Sequence, residues 1–238
     1  MQPRFRRRRA LEWSSKLAYA AGLVATDGFL TTRNVVGFSS TDLELVETFL
    51  RCIDRPIRYQ TMEPERQTGN SELGIRPRKT LYIAQCSDPL LYDWLLAAGI
   101  TPRKSLTLGA VTVPRHHFFD LVRGLLDGDG SVMSLNAAPH GIANEYRLRR
   151  LRLTFYSGSQ IHLEWLHAAL AEYGIKGSLH AARRNGHTLY HLIHSERAAE
   201  TILTTIYEDP RAPRLERKWR IWQEHRAARG TPNYQSFI

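Results

Sequence analysis

Leu121-Val122-Arg123-Gly124-Leu125-Leu126-Asp127-Gly128-Asp129-Gly130 is the stretch whose reading decides the fold of this chain. An earlier copy, Tyr19-Ala20-Ala21-Gly22-Leu23-Val24-Ala25-Thr26-Asp27-Gly28, stands about a hundred residues upstream. Each is an apolar run with small residues inside it, closed by Asp-Gly. Residues 14–26 lack proline and are rich in Ala and Leu, which predicts a helix. Pro114 suits the first turn of the second helix, where a missing N–H costs nothing. Gly28 and Gly130 read as helix stops in the left-handed conformation. Gly22 and Gly124 each cost roughly 1 kcal/mol relative to alanine inside a helix. Their equal placement therefore implies close backbone approach, with Ala21 and Ala25 lining one helix and Gly128 the other.

Asp27 and Asp129 fall at the expected helix C-termini, where the macrodipole disfavours an anion. If the helices pack in parallel, the two carboxylates also repel. A divalent cation relieves both problems, and oxygen-only ligation with open positions suits Mg²⁺. The competing reading is a plain Asp-Gly turn after each helix.

The two stretches resemble the LAGLIDADG motif, in the two-copy, single-chain form of the homing endonucleases. The matching nine residues are 20–28 and 122–130. The resemblance implies that Asp27 and Asp129, at the eighth position, bind the catalytic metal, and that Thr26 and Gly128 lend backbone carbonyls to it. At the sixth position the first copy has Ala25 and the second Asp127. The resemblance implies an α+β fold of two pseudo-symmetric αββαββα halves, with antiparallel saddle-shaped sheets and paired motif helices at the interface. It also implies a monomer that hydrolyses both strands of a long asymmetric DNA site, using metal-activated water and leaving short 3′ overhangs. A lysine follows the last helix of each half, Lys104 and Lys218, and the resemblance assigns both to the active sites.

Composition is consistent with this. The 238 residues are 42% hydrophobic, enough for a packed core. A formal net charge of +10, with a pI near 9.9, favours an anionic partner, most often nucleic acid. Cys52 and Cys86 have no metal spacing and suggest no disulfide, which fits a reducing interior. Cytoplasm or nucleoid is the expected location, with an organelle as the alternative. No apolar run is long enough to span a membrane. The chain begins with Met and ends without a His-Asn splice junction, so a free-standing, intron-encoded protein is expected rather than an intein.

Residues 1–10 read as a basic arm, 11–109 as the first half and 110–238 as the second. In the first half a hairpin follows Gly28, and Thr41-Asp42-Leu43-Glu44 is a capping-box pattern opening a helix to about Ile53. Strands at 57–61 and 78–86 flank a polar loop at 63–78. Asp88 opens a third helix, and residues 101–114 join the halves. The second half repeats the order: a short strand at 131–135, a loop with Pro139 and Gly141, a strand at 148–156, and a helix capped by Ser159. A hairpin across Asn185-Gly186 and two more helices complete it. Thr80-Leu81-Tyr82 before Ser87, and Thr188-Leu189-Tyr190 before Ser195, echo the duplication at equal spacing.

Alternation places Leu151, Leu153 and Phe155 on one face of their strand and Arg152, Thr154 and Tyr156 on the other. Arg58 and Gln60 likewise oppose Ile57 and Tyr59. Such a face suits the major groove of double-stranded DNA, where Arg pairs with guanine and Gln with adenine. Arg149 and His180 are assigned to the same DNA-binding set. Arg33, Arg76, Arg78, Arg183 and Arg184 are candidates for phosphate contact. Ser40 or Thr41 and Ser159 or Gln160 are candidates for orienting water. The rival expectation is a non-cleaving protein of the same fold, an intron RNA maturase or a transcription regulator, with intron RNA as the alternative partner.

Overall fold

A computed structural model describes residues 11–31, 33–54, 58–62, 79–137, 148–184 and 186–229. The expected basic arm, Ile57, the loop carrying Arg76 and Arg78, the loop with Pro139 and Gly141, Asn185 and the tail from Gly230 onward lie outside them. The first half runs α1 (Ser15–Thr26), β1 (Gly28–Leu30), β2 (Val35–Ser40), α2 (Leu43–Ile53), β3 (Tyr59–Met62), β4 (Leu81–Ser87) and α3 (Pro89–Ala97). The second runs α4 (Phe118–Asp127), β5 (Ser131–Ala137), β6 (Leu148–Ser157), α5 (Gln160–Ala171), β7 (Ser178–Arg184), β8 (His187–Ser195), α6 (Arg197–Ile206) and α7 (Glu216–Arg229). None of these helices is long and apolar enough to cross a membrane.

The halves share one topology. Their antiparallel sheets have strand orders β1-β2-β4-β3 and β5-β6-β8-β7. The expected echo is real in three dimensions: Leu81–Ser87 and Leu189–Ser195 lie on β4 and β8, the equivalent inner strands. Each sheet buries one face under helices. Phe38 packs on Phe49 of α2 with ring centroids 5.0 Å apart, while Leu151, Leu153 and Phe155 are buried in the second half. One hydrophobic core runs through both halves, with α1 and α4 in its centre.

Helices α1 and α4 pack directly against each other. A Cβ on Gly22 would lie 2.5 Å from the Leu121 carbonyl oxygen and 2.7 Å from the Leu125 nitrogen. One on Gly124 would strike the Tyr19 carbonyl and lie 2.9 Å from the Gly22 Cα. The backbones touch because neither position carries a side chain. Ala18, Ala20, Ala21 and Ala25 are buried around this seam.

Several local expectations are corrected. Gly28 and Gly130 are not left-handed stops, since the positive-φ glycines among the described residues are Gly99, Gly174 and Gly186. They are glycine because the chain folds back against the helix it has just left. A Cβ on Gly28 would meet the Val24 Cα at 2.5 Å, and one on Gly130 the Leu126 Cα at 2.8 Å. Pro114 precedes a short 3-10 turn, Arg115–His117, rather than the first turn of α4. The capping box does not form: α2 starts after Asp42, without a side-chain cap. Ser159 precedes α5, but its hydroxyl donates to the Leu108 carbonyl at 2.6 Å, tying the inter-half segment to the second half. Asp88 does cap α3, accepting from Leu90 and Leu91 backbone N–H groups.

Gly124→Ala tests the seam. Helix propensity favours alanine by roughly 1 kcal/mol, but overpacking against backbone costs about 1–3 kcal/mol or more. The expected outcome in denaturant unfolding is a less stable protein. A variant as stable as the parent would contradict the contact.

Candidate active site

The parallel descent of α1 and α4 brings Asp27 and Asp129 together. Asp27 is the C-cap of α1, and Asp129 lies two residues beyond the end of α4. Their carboxyl groups stand close enough to feel one another. Burial, then the Asp129 charge, pushes Asp27 from 3.8 up to about 6, against the pull of Lys218 and Lys104. Partial desolvation raises Asp129 as well, opposed by Lys104, Lys218 and its interaction with Asp27. Two carboxyls this close cannot both ionise without cost.

The two lysines are not surface groups. Lys104 and Lys218 are 4% and 2% exposed. Lys104 stands in a 3-10 turn, Lys104–Leu106, and donates through Nζ to the carbonyls of Thr26 (3.1 Å) and Gly28 (2.8 Å). Lys218 does not follow the last helix of its half, as expected, but stands in the first turn of that helix, α7, and donates to the carbonyls of Leu126, Asp127 (2.9 Å) and Gly128 (3.2 Å). Each ammonium thus satisfies free carbonyls at the negative end of a motif helix. Burial lowers both to about 8, while neighbouring acids pull upward. The Thr26 and Gly128 carbonyls, expected as metal ligands, already accept from these lysines. A cation would have to share them through their second lone pairs.

The donor set at the two acids is oxygen only, open on one side, and suits a hard divalent ion. Among the described residues, no group of three or more His, Cys, Asp and Glu side chains could hold a metal. Side-chain ligation would therefore rest on the acid pair. Beside it opens a cleft of about 430 Å³, lined by Thr26, Lys104, Leu106, Asp129, Gly158 and His187 among others.

Asp127 is the residue whose importance sequence reasoning missed. It is 1% exposed and accepts from the Leu215 backbone N–H at 2.7 Å and the Tyr19 hydroxyl at 2.9 Å. Burial raises it to about 6, against Lys218 and these hydrogen bonds. Its motif position alone carried no sign of partners 80 or more residues away.

The outward sheet faces carry part of the expected DNA-binding set. Gln60 and Arg152 are exposed on the faces opposite the core, and Arg58 is exposed just before β3. Arg33 is exposed at the β1–β2 turn. His180 is exposed and pairs across the strands with His191, which pairs with Tyr156. Tyr156 is half-buried, its hydroxyl 3.2 Å from that of Ser131. Thr154 is a correction: at 3% exposure, between Ser131 and Ile193 on the flanking strands, this short side chain is covered and cannot reach a groove. Arg183 is exposed, on the side of Leu179 and Leu192 at the hairpin end. Arg149 and Arg184 lie on β6 and β7, but their side chains, like Arg76 and Arg78, lie outside the described residues. Exposed Gln85 and Arg150 share the outward faces and were not anticipated, although alternation along β4 and β6 carries the signal. Of the water-orienting candidates, Thr41 and Gln160 are exposed, Ser40 is half-buried, accepting from the Asp42 N–H, and Ser159 is committed to Leu108.

Solved structures share this arrangement. One of mesophilic variants from the homing endonuclease I-DmoI aligns at TM-score 0.54 and 16% identity, over 89% of this chain and 98% of that one. I-DmoI in complex with DNA and Ca aligns at 0.51 and 16%, over 82% and 90%. Full-length DUF199/WhiA from Thermatoga maritima aligns at 0.53 and 12%, over 94% of this chain and 66% of that one. No family model and no curated protein matches by sequence. Paired glycine-bearing helices between two equivalent four-stranded sheets make this chain a LAGLIDADG-fold protein.

The raised acid has a testable consequence. Between about pH 4 and pH 6 the folded protein keeps a proton on Asp27 that the unfolded chain has lost, so stability falls as pH rises through that window. Asp27→Asn mimics the protonated form. In metal-free protein its melting temperature should match the parent near pH 4 and exceed it by about 2–4 °C above pH 6, the shift expected from roughly 1 kcal/mol. Millimolar Mg²⁺ should raise the parent's melting temperature and close the gap. A pH-independent difference would contradict the paired-acid description.

Proposed function

We propose that this protein is a metal-dependent endonuclease that cuts both strands of a long, asymmetric double-stranded DNA site as a monomer. One observation carries the reading: two acids from the ends of two paired helices stand close enough for the charge of Asp129 to raise Asp27, and each helix end is held by a buried lysine. A plain Asp-Gly turn requires none of this. Both motif helices are in one chain, so no second copy is needed to complete the acid pair.

Asp27 and Asp129 would hold the cation, Mg²⁺ or a related ion, with the Thr26 and Gly128 carbonyls beside them. Bound there, it would neutralise the acids and supply Lewis-acid chemistry to a phosphodiester. The chain's own residues do the rest. Lys104 and Lys218 keep positive charge beside the acids, balancing phosphate charge as strands approach. Arg152 and Gln60, with Gln85 and Arg150, present donors to base edges from the two sheets. Arg33 and the remaining basic surface contribute sequence-independent attraction. The similarity to I-DmoI bound to DNA supports this use of the sheets.

A second reading has its own support, because full-length DUF199/WhiA, which differs from the endonuclease in name and length, shares the fold. On that reading the protein binds nucleic acid, DNA or intron RNA, without cutting. Cleavage selection on a randomised duplex library with Mg²⁺ separates the two. The expected result is one long enriched cut site for the parent, with cutting reduced to background in Asp27→Asn and Asp129→Asn. Tight, salt-sensitive binding with no enriched cut would instead establish the binding protein.

A further inference from the structure

The two motif ends are built differently, and the difference bears on the endonuclease reading above, on which this inference rests. Where the first copy has Ala25, the second has Asp127. The Asp127 carboxylate accepts from the N–H of Leu215, from the Tyr19 hydroxyl and, at 3.4 Å, from the Tyr207 hydroxyl. Leu215 opens α7, its carbonyl accepting from the N–H groups of Lys218 (3.0 Å) and Trp219 (3.2 Å). A buried carboxylate therefore sits at the positive end of α7, where it is favoured. Three residues along α7, Lys218 donates back to the carbonyls of Leu126, Asp127 and Gly128. The carboxylate at the end of α4 holds the start of α7, and the ammonium of α7 holds the end of α4.

Among the described residues of the first half, no carboxylate is bonded to the turn that carries Lys104. Lys104 is set by its own turn, in which the Thr107 and Leu108 N–H groups donate to its carbonyl at 3.0 and 2.8 Å. That turn is entered through Arg103 at φ 57°. It is anchored downstream where Ser159 and His162 bond the carbonyls of Leu108 and Gly109.

We propose that Asp127 is the positioning residue for Lys218, so that the centre of the second half depends on a buried carboxylate clasp that the first half lacks. Asp127 need not touch DNA or metal. Its loss should release α7, misplace Lys218 and slow one strand's cleavage while leaving the other's intact.

The test uses the full chain and a duplex carrying the selected target, each strand end-labelled, in single turnover with Mg²⁺. Lys104→Met and Lys218→Met first identify which strand each lysine serves. Asp127→Ala should slow the Lys218-dependent strand by about 10–100-fold, as loss of a supporting residue does at metal sites. Nicked DNA should then accumulate. Equal slowing of both strands, slowing of the Lys104-dependent strand, or no slowing overturns the proposal. Hydrogen exchange of metal-free protein gives a second reading independent of cleavage. Residues 208–218 should exchange roughly tenfold faster in Asp127→Ala, and residues 101–108 at the parental rate. Unchanged exchange at 208–218 also overturns it. If Asp127→Ala does not fold, Asp127→Asn carries both measurements, because it is isosteric, removes the charge and turns one of the two accepting oxygens into a donor. A parent that cuts no DNA, together with the expected exchange pattern, sinks the endonuclease reading and leaves the clasp standing.

Discussion

The contact on which the rest of this molecule depends is backbone against backbone, where α1 crosses α4 at Gly22 and Gly124. Two helices normally keep 8–10 Å between axes because side chains intervene. Here the Leu121 carbonyl and the Tyr19 carbonyl occupy the places where Cβ atoms would stand. The helices then end side by side, and the Asp-Gly segment after each one is delivered to the same place. The acid pair, the two lysines and the symmetric placing of the sheets all depend on that approach.

The approach also creates an electrostatic problem that the fold solves only in part. Two helix C-termini and two carboxyls converge, all negative in sign. Lys104 and Lys218 answer the helix ends directly, through hydrogen bonds to free carbonyls, and the acids only through space. The acids therefore stay raised, which is the condition under which a hard cation is welcome. Asp127 is buried for a different purpose: every described bond to its carboxylate comes from the protein, and those bonds join both motif helices to the start of α7.

Around this centre the duplicated halves have diverged. Topology and register are repeated, yet the supports differ: a tight turn places one lysine, and a helix clasped by a carboxylate places the other. The outward faces differ too, with Gln60 and Gln85 on one sheet and Arg150, Arg152 and His180 on the other.

Much of this was legible in the chain. Helical propensity and the paired glycines marked two helices in contact, strand alternation marked the buried faces of β6, and the equal spacing of Thr80-Leu81-Tyr82 and Thr188-Leu189-Tyr190 marked the duplication. Asp27 and Asp129 could be singled out because their motifs are local, and Lys104 and Lys218 through the resemblance that those motifs carry. Sequence by itself therefore determined the elements, their repetition and the residues that meet. Only the tertiary structure decided that Gly28 and Gly130 are required by the chain folding back, that Thr154 is covered, that Ser159 binds the inter-half segment, and that Asp127 holds α7. Those facts depend on neighbours brought together from distant parts of the chain, and local propensity and periodicity carry no record of which distant groups will arrive.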